Sequence, residues 1–150
     1  MKLVSRLLTG LWVALPGPVA AQTPAAPAQL PSVTLPAALD RVLRDYERHW
    51  QAGNADSLAA LFTVDGFVLQ PGRLPVRGLE GITGAYRSSP GGPLALRALA
   101  YATADTVGYI IGAFAMRPGE ADGGKFILAL RRLPGGPWKI AADMDNGNRR

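Results

Sequence analysis

A chain of 150 residues is long enough for one domain with short extensions and too short for a typical two-domain enzyme. Hydrophobic residues make up 48% of it and charged residues 18%, a balance that supports a buried core and argues against intrinsic disorder. With no cysteine and one histidine, His49, the sequence excludes disulfides, thiolate metal sites and any site that needs two histidines. We therefore predict no cofactor and no bound metal.

The first 21 residues have the pattern of a secretory signal peptide. Lys2 and Arg6 give a positive start, a short apolar run covers 7–15, and small residues at 19–21 offer a cleavage site. The apolar run is much shorter than the roughly 20 residues that a membrane-spanning helix needs. We expect a periplasmic or secreted protein, cleaved after Ala21, with no membrane association of the mature chain.

Cleavage would lower the formal net charge from +5 to +3, because the segment removed carries Lys2 and Arg6 and no acid. The remaining cations are mostly isolated arginines without interleaved aromatic residues. This pattern is typical of a mildly basic, solvated surface, and we predict no nucleic-acid partner.

The rest of the chain divides by composition. Residues 22–35 are rich in Pro and Ala, which favours an extended tether. The folded domain is predicted for residues 36–146, and residues 147–150 form a short tail.

Helical patterns come first in the predicted domain. Apolar residues recur from 39 to 50 at the spacing of an amphipathic helix, which Gly53 ends. Asn54 can cap a second helix that extends to Phe62. A third, weaker helix is predicted over 79–87, because its two glycines each cost about 1 kcal/mol relative to Ala.

Strand patterns dominate the C-terminal half. Strands are predicted over 67–70, 94–103, 106–117, 125–133 and 138–145. The last four are joined by short turns, which predicts an antiparallel meander. Helices followed by a sheet indicate an α+β domain in which the helices cover one face of a curved sheet.

Four stretches carry a resemblance to a known family: Tyr46–Phe62, Asp65–Gly72, Val76–Ile82, and Trp138–Ile140 with Asp143. Together they resemble the nuclear transport factor 2-like superfamily, and within it the SnoaL-like proteins of unassigned function. The resemblance extends from about residue 39 to 146. It implies a cone-shaped domain with three N-terminal helices on a strongly curved antiparallel sheet and a pocket at the open end, and many members are dimers.

The superfamily includes the ketosteroid isomerases, which use an Asp base and stabilise an oxyanion with a Tyr and a protonated Asp. The resemblance places Tyr46 at the oxyanion tyrosine, and it places Gln70 at the base. An amide cannot abstract a proton at neutral pH, and the second acid falls near Leu128 or Ala129, both apolar. The sequence therefore argues against ketosteroid isomerase chemistry and leaves open whether the protein is an enzyme.

Asp143 is the leading candidate for a functional carboxylate. It follows Ile140 in the last predicted strand, and a carboxylate among apolar residues must find a hydrogen-bond partner or take up a proton. It can act as a general base or a ligand anchor, or it can fix the sheet edge by bonding backbone or an arginine. Alternation sets Asp143 opposite Ile140 without deciding which side faces a pocket.

Five residues are predicted to contact a ligand: Tyr46, Trp50, Gln70, Tyr109 and Asp143. Tyr46 and Trp50 lie one turn apart on the apolar stripe of the first helix, where large aromatic residues also build core. Tyr109 lies in a predicted strand and could face either the pocket or a dimer interface.

Three functions fit these residues. The first, which we favour from sequence, is an exported domain that binds a small, largely apolar molecule. The second is an isomerase, cyclase or dehydratase that uses Asp143 and Tyr46 for proton transfer. The third is a homodimeric assembly module without a ligand. A homodimer is expected through a broad sheet face, with its apolar residues at Ile111, Ala113, Leu128 and Leu130.

Overall fold

The computed structural model describes residues 29–148. The predicted signal peptide, residues 22–28 of the predicted tether and residues 149–150 of the predicted tail lie outside the described residues. The domain boundaries stay predictions. Across residues 29–148, no helix has the length and apolar character needed to span a membrane.

The first helix, α1 (Ala37–Gln51), follows Pro36, whose fixed φ suits the entry to a helix. Its apolar stripe buries Leu39, Val42 and Leu43. The helix ends before Gly53, which has a φ of 61° and turns the chain. The predicted amphipathic helix is confirmed and is slightly longer at both ends.

Two shorter helices follow. In α2 (Ala55–Ala59) the Asn54 side chain accepts a hydrogen bond from the backbone N–H of Ser57 at 3.0 Å, the predicted cap. Helix α2 is shorter than predicted because a strand already begins at Phe62. Helix α3 (Leu79–Arg87) has the predicted bounds and buries Ile82 and Tyr86.

Six strands form one curved, open sheet. They are β1 (Phe62–Leu69), β2 (Val76–Arg77), β3 (Ala95–Thr103), β4 (Val107–Ala115), β5 (Gly124–Arg131) and β6 (Lys139–Gly147). Their order across the sheet is β2-β1-β6-β5-β4-β3. The α+β class is confirmed, as is the antiparallel meander from β3 to β6.

The sheet has one pairing that the prediction did not include. Strand β1 joins β6 in parallel, with Val68 beside Asp143 and Leu69 beside Met144. Strand β1 also begins at Phe62 rather than Phe67, and β2 occupies part of a predicted loop. Because β1 borders β6, the loop after β1 lies near the C-terminal half of the last strand.

The helices pack on the concave face of the sheet. Ile110 and Ile140 are fully buried there, and Leu128 and Leu130 are each 2% exposed. The prediction that Leu128 and Leu130 lie on an exposed face is therefore wrong: they alternate with outward residues and point into the core. Ala113 is also buried.

The outer face retains an exposed apolar row. Ile111 pairs with Ile127, and Ile127 pairs with Met144, so three large apolar side chains lie side by side across β4, β5 and β6. Their exposed fractions are 37%, 48% and 51%. Of the residues predicted for an exposed sheet face, Ile111 is the one whose position agrees.

Two glycines lie directly opposite phenylalanines. Gly112 of β4 pairs with Phe126 of β5, and Gly124 of β5 pairs with Phe114 of β4. A methyl group at either glycine would overlap the paired ring. The missing side chains therefore let both rings lie close to the sheet.

Residues 29–35, the described part of the predicted tether, contact β3. The Val33 N–H donates to the Ala98 carbonyl at 2.9 Å. Arg97 donates to the Leu30 carbonyl at 2.7 Å and forms an ion pair with Asp122.

Candidate functional site

A cavity of about 320 Å³ lies between α1, α3 and the concave face of the sheet. Its wall is largely apolar, formed by Trp50, Leu94, Leu96, Phe114, Phe126 and Leu128. Its polar side chains are Tyr46, Tyr86, Asp143, Gln70, Arg73 and Asp145. An apolar wall with a few convergent polar groups is the usual composition of a small-molecule site.

Asp143 reaches this cavity because β6 contains a β-bulge. Leu130 pairs with Ile140, but Ala129 pairs with Ala142, so Ala141 is an extra residue on β6. The extra residue reverses the alternation, and both Ile140 and Asp143 point inward. Asp143 is 6% exposed and is the one buried charged residue among residues 29–148.

Two tyrosines hold one oxygen of this carboxyl group. Tyr46 of α1 donates to Asp143 Oδ2 at 2.9 Å, and Tyr86 of α3 donates to the same atom at 3.2 Å. The two hydroxyl oxygens are 3.0 Å apart, and the two rings meet edge to face. Two helices and a strand thus converge on one carboxylate oxygen.

The other oxygen, Asp143 Oδ1, is open to the cavity. It accepts no hydrogen bond from residues 29–148. It is not enclosed either, because the one buried side-chain N or O atom without a partner in this range is Thr63 Oγ1. One carboxylate oxygen is therefore fixed by the protein, and the second is free to meet a bound molecule.

The two tyrosine hydroxyl hydrogens determine how Tyr46, Tyr86 and Asp143 bond to one another. With Asp143 ionised, two tyrosine hydrogens serve three oxygen–oxygen contacts, so both can point at Oδ2. Burial, opposed by the Tyr46 hydrogen bond and reinforced by the nearby Asp145 charge, raises the pKa of Asp143 to about 6. Both protonation states are then accessible near neutral pH.

The tyrosines themselves stay protonated. Burial raises the pKa of Tyr46 and of Tyr86 well above the ordinary value of 10.0, and the Asp143 charge raises both further. At neutral pH they act as hydrogen-bond donors and do not supply a base.

A second set of polar residues, which we call the rim group, consists of Gln70, Arg73 and Asp145. They are partly buried or exposed, whereas Asp143 and Tyr86 are buried. Asp145 lies two residues after Asp143 and shares its face of β6. Burial raises the pKa of Asp145 as well.

The cavity brings together four of the five predicted ligand contacts: Tyr46, Trp50, Gln70 and Asp143. Tyr109 does not line it. Tyr109 precedes the fully buried Ile110, so its side chain lies on the outer face of the sheet and is 41% exposed. Tyr109 is therefore not a contact of this cavity, contrary to the prediction.

Sequence reasoning missed Tyr86, Arg73 and Asp145. The signal for Tyr86 was its spacing from Ile82, which places both on one face of α3. The signal for Asp145 was its two-residue spacing from Asp143. Nothing in the local sequence distinguished Arg73 from the other arginines.

The acid lies one strand away from where the ketosteroid isomerase pattern places its second acid. Of the two residues near that place in the resemblance, Leu128 and Ala129, Leu128 pairs directly with Asp143 across β5 and β6. Both side chains line the cavity. Within residues 29–148, no three His, Cys, Asp or Glu side chains are grouped in a way that could hold a metal ion.

No protein-family model and no curated protein sequence matches the chain. Solved structures do. A ketosteroid isomerase-like protein from Erwinia carotovora atroseptica has a TM-score of 0.65 at 18% identity, with 76% of this chain and 96% of that chain covered. An NTF-2-like protein of unknown function from Shewanella oneidensis has a TM-score of 0.60 at 15% identity, with 72% of this chain and 95% of that chain covered.

A scytalone dehydratase-like protein from Novosphingobium aromaticivorans gives a TM-score of 0.62 at 17% identity, covering 75% of this chain and 83% of that chain. At such identities the likeness concerns the fold and not the activity. The helices and the open, curved sheet agree with the fold of these structures. The protein therefore has the nuclear transport factor 2-like fold.

Proposed function

We propose that the cavity binds a small, largely apolar molecule and that Asp143 exchanges a proton with it. The observation that carries this proposal is the asymmetry of the Asp143 carboxyl group. Two tyrosines fix Oδ2, and Oδ1 is open to an apolar cavity. A carboxylate held only for stability would gain by having both oxygens bonded.

In the proposed reaction, Asp143 Oδ1 accepts a proton from a C–H or O–H group of the bound molecule and later returns it to another atom. Tyr46 and Tyr86 keep the carboxyl group in position through Oδ2. A pKa of about 6 suits both halves of such a cycle, since a general base works best when its pKa is near the working pH. Isomerases, cyclases and dehydratases all use transfers of this kind.

A base of this kind can be tested without knowing the natural substrate. 5-Nitrobenzisoxazole is a small, apolar, uncharged carbon acid. When a carboxylate takes its ring C–H proton, the electron pair forms a nitrile, the N–O bond breaks, and a coloured nitrophenolate is released. We expect saturable turnover by the wild-type protein that rises with pH through about 6, as the base form of Asp143 accumulates.

Asp143→Asn should lower this turnover about 10²- to 10⁴-fold, the usual contribution of a positioned base. Asp105→Asn, which changes a carboxylate in the exposed turn between β3 and β4, is the control and should leave the rate unchanged. Equal rates for wild type and Asp143→Asn would rule out the proton-transfer step. Saturable binding of 5-nitrobenzisoxazole without turnover would show that the cavity binds a ligand and that Asp143 does not take its proton.

We also propose that the chain forms a homodimer through the outer face of the sheet. The exposed row of Ile111, Ile127 and Met144 supports this, because an exposed apolar row can be covered by the same row of a second copy.

Sedimentation at micromolar concentration should give twice the chain mass for the wild type and the chain mass for Ile127→Lys. Val64→Lys, at a residue that is 79% exposed on β1, is the matched control and should remain dimeric. A wild-type monomer would refute the dimer.

A further inference from the structure

Arg73 is the arginine of the described chain that lacks a partner. Among residues 29–148, seven arginines form ion pairs with acids, Arg132 donates to the Asp105 carbonyl, and Arg77 lies over the Phe67 ring. The Arg73 side chain makes no hydrogen bond, ion pair or ring contact with the residues described. It nevertheless lines the largely apolar cavity, and it is the one cation among the described residues that do so.

A tight turn places Arg73 there. The N–H of Arg73 donates to the Gln70 carbonyl at 3.2 Å, and Gly72 between them has a φ of 69°. Pro71 followed by a glycine with positive φ is the pattern of a type II β-turn. Because Pro71 fixes one dihedral and the hydrogen bond closes the turn, Arg73 is held at the end of β1 rather than on a long loop.

We propose that the molecule bound in this cavity carries a carboxylate and that Arg73 binds it. This inference rests on the proposed function, because it concerns the ligand of the same cavity. A guanidinium presents two parallel N–H groups that match the two oxygens of a carboxylate. The carboxylate lies at the rim group, and the apolar body of the ligand extends along Trp50 and Phe126 towards Asp143.

The rim group also limits the charge of the ligand. Asp145 lines the same cavity and has no ion pair with Arg73. Arg73 is the one cation among the residues of 29–148 that line the cavity and suits a single negative charge, whereas a phosphate ester with two charges would be repelled more strongly by Asp145 and Asp143. Gln70 adds an uncharged amide donor at the same place. A small, apolar monocarboxylic acid fits this set of groups.

The test compares two probes of nearly equal shape, 4-phenylbutanoate and 4-phenylbutanamide, by calorimetry at low salt and pH 7.5. We expect the wild-type protein to bind the carboxylate at least tenfold more tightly than the amide. Arg73→Gln should remove that preference by weakening carboxylate binding alone. Asp145→Asn should tighten carboxylate binding, because it removes a like charge.

Arg77→Gln is the matched control, since Arg77 lies on β2 and stacks on Phe67, and it should keep the wild-type preference. Equal binding of both probes by the wild type, binding of neither probe, or an unchanged preference in Arg73→Gln would overturn the proposal. Tighter binding of 4-phenylbutyl phosphate than of the carboxylate would also overturn it. 5-Nitrobenzisoxazole carries no carboxylate, so its turnover tests Asp143 independently of Arg73.

Discussion

Asp143→Asn is expected to make the protein more stable than the wild type above pH 7. The pKa of Asp143 is about 6 in the folded chain, above the ordinary value of 3.8 that applies when the chain unfolds. Between these values the folded state holds a proton that the unfolded state has lost. The wild type therefore loses stability as the pH rises from about 4 through 6, and the loss levels off at roughly 3 kcal/mol near pH 7.

Asparagine has the same shape and no charge, so the variant does not incur this loss. The difference in free energy of unfolding, measured by urea titration, should be small at pH 4 and should grow until about pH 7. Asp105→Asn, an exposed control, should show a difference that does not change over this range. A variant less stable than the wild type at every pH would instead indicate that the ionised carboxylate stabilises the sheet.

Gly112→Ala is expected to destabilise the protein and to reduce the cavity. The added methyl group would overlap the Phe126 ring and lie 2.6 Å from the Arg97 carbonyl oxygen. The ring lines the cavity, so we expect it to move into that space when the methyl group displaces it. Overpacking of this kind costs about 1 to 3 kcal/mol, and the backbone contact adds to it.

Urea unfolding gives the loss of stability, and the affinity for 4-phenylbutanamide reports the space left in the cavity. Gly112→Ala combined with Phe126→Leu should recover part of both. The control is Gly84→Ala in α3, where a methyl group would meet no atom within 4 Å and should stabilise the helix by up to about 1 kcal/mol. Unchanged stability of Gly112→Ala would show that the strands can separate at no cost.

Local sequence patterns determined the helices well, because their apolar spacing and caps lie within a few residues. Helix α3 has its predicted bounds, and Asn54 caps α2 as expected. The parallel pairing of β1 with β6 was not predicted, since it joins residues about 75 positions apart. No turn signal links such distant segments.

The site was half predictable for the same reason. Tyr46 and Asp143 were both predicted as site residues from their residue types, and the structure places the Tyr46 hydroxyl oxygen 2.9 Å from Asp143 Oδ2. The inward direction of Asp143 depends on the bulge at Ala141, which simple two-residue alternation does not include. Tyr86 joined the pair because α3 packs across the sheet, a tertiary contact that no local pattern encodes.

The bulge at Ala141 also bears on how such sites change during evolution. Without the extra residue, an acid opposite Leu128 would follow the buried Ile140 by two positions instead of three, and it would still point into the cavity. An insertion or deletion at this point therefore changes the number of residues between the buried Ile140 and the acid, while the acid keeps its place in the cavity. Related sequences should accordingly be aligned by strand register at this point, since counting residues would assign the acid to the wrong side of the sheet.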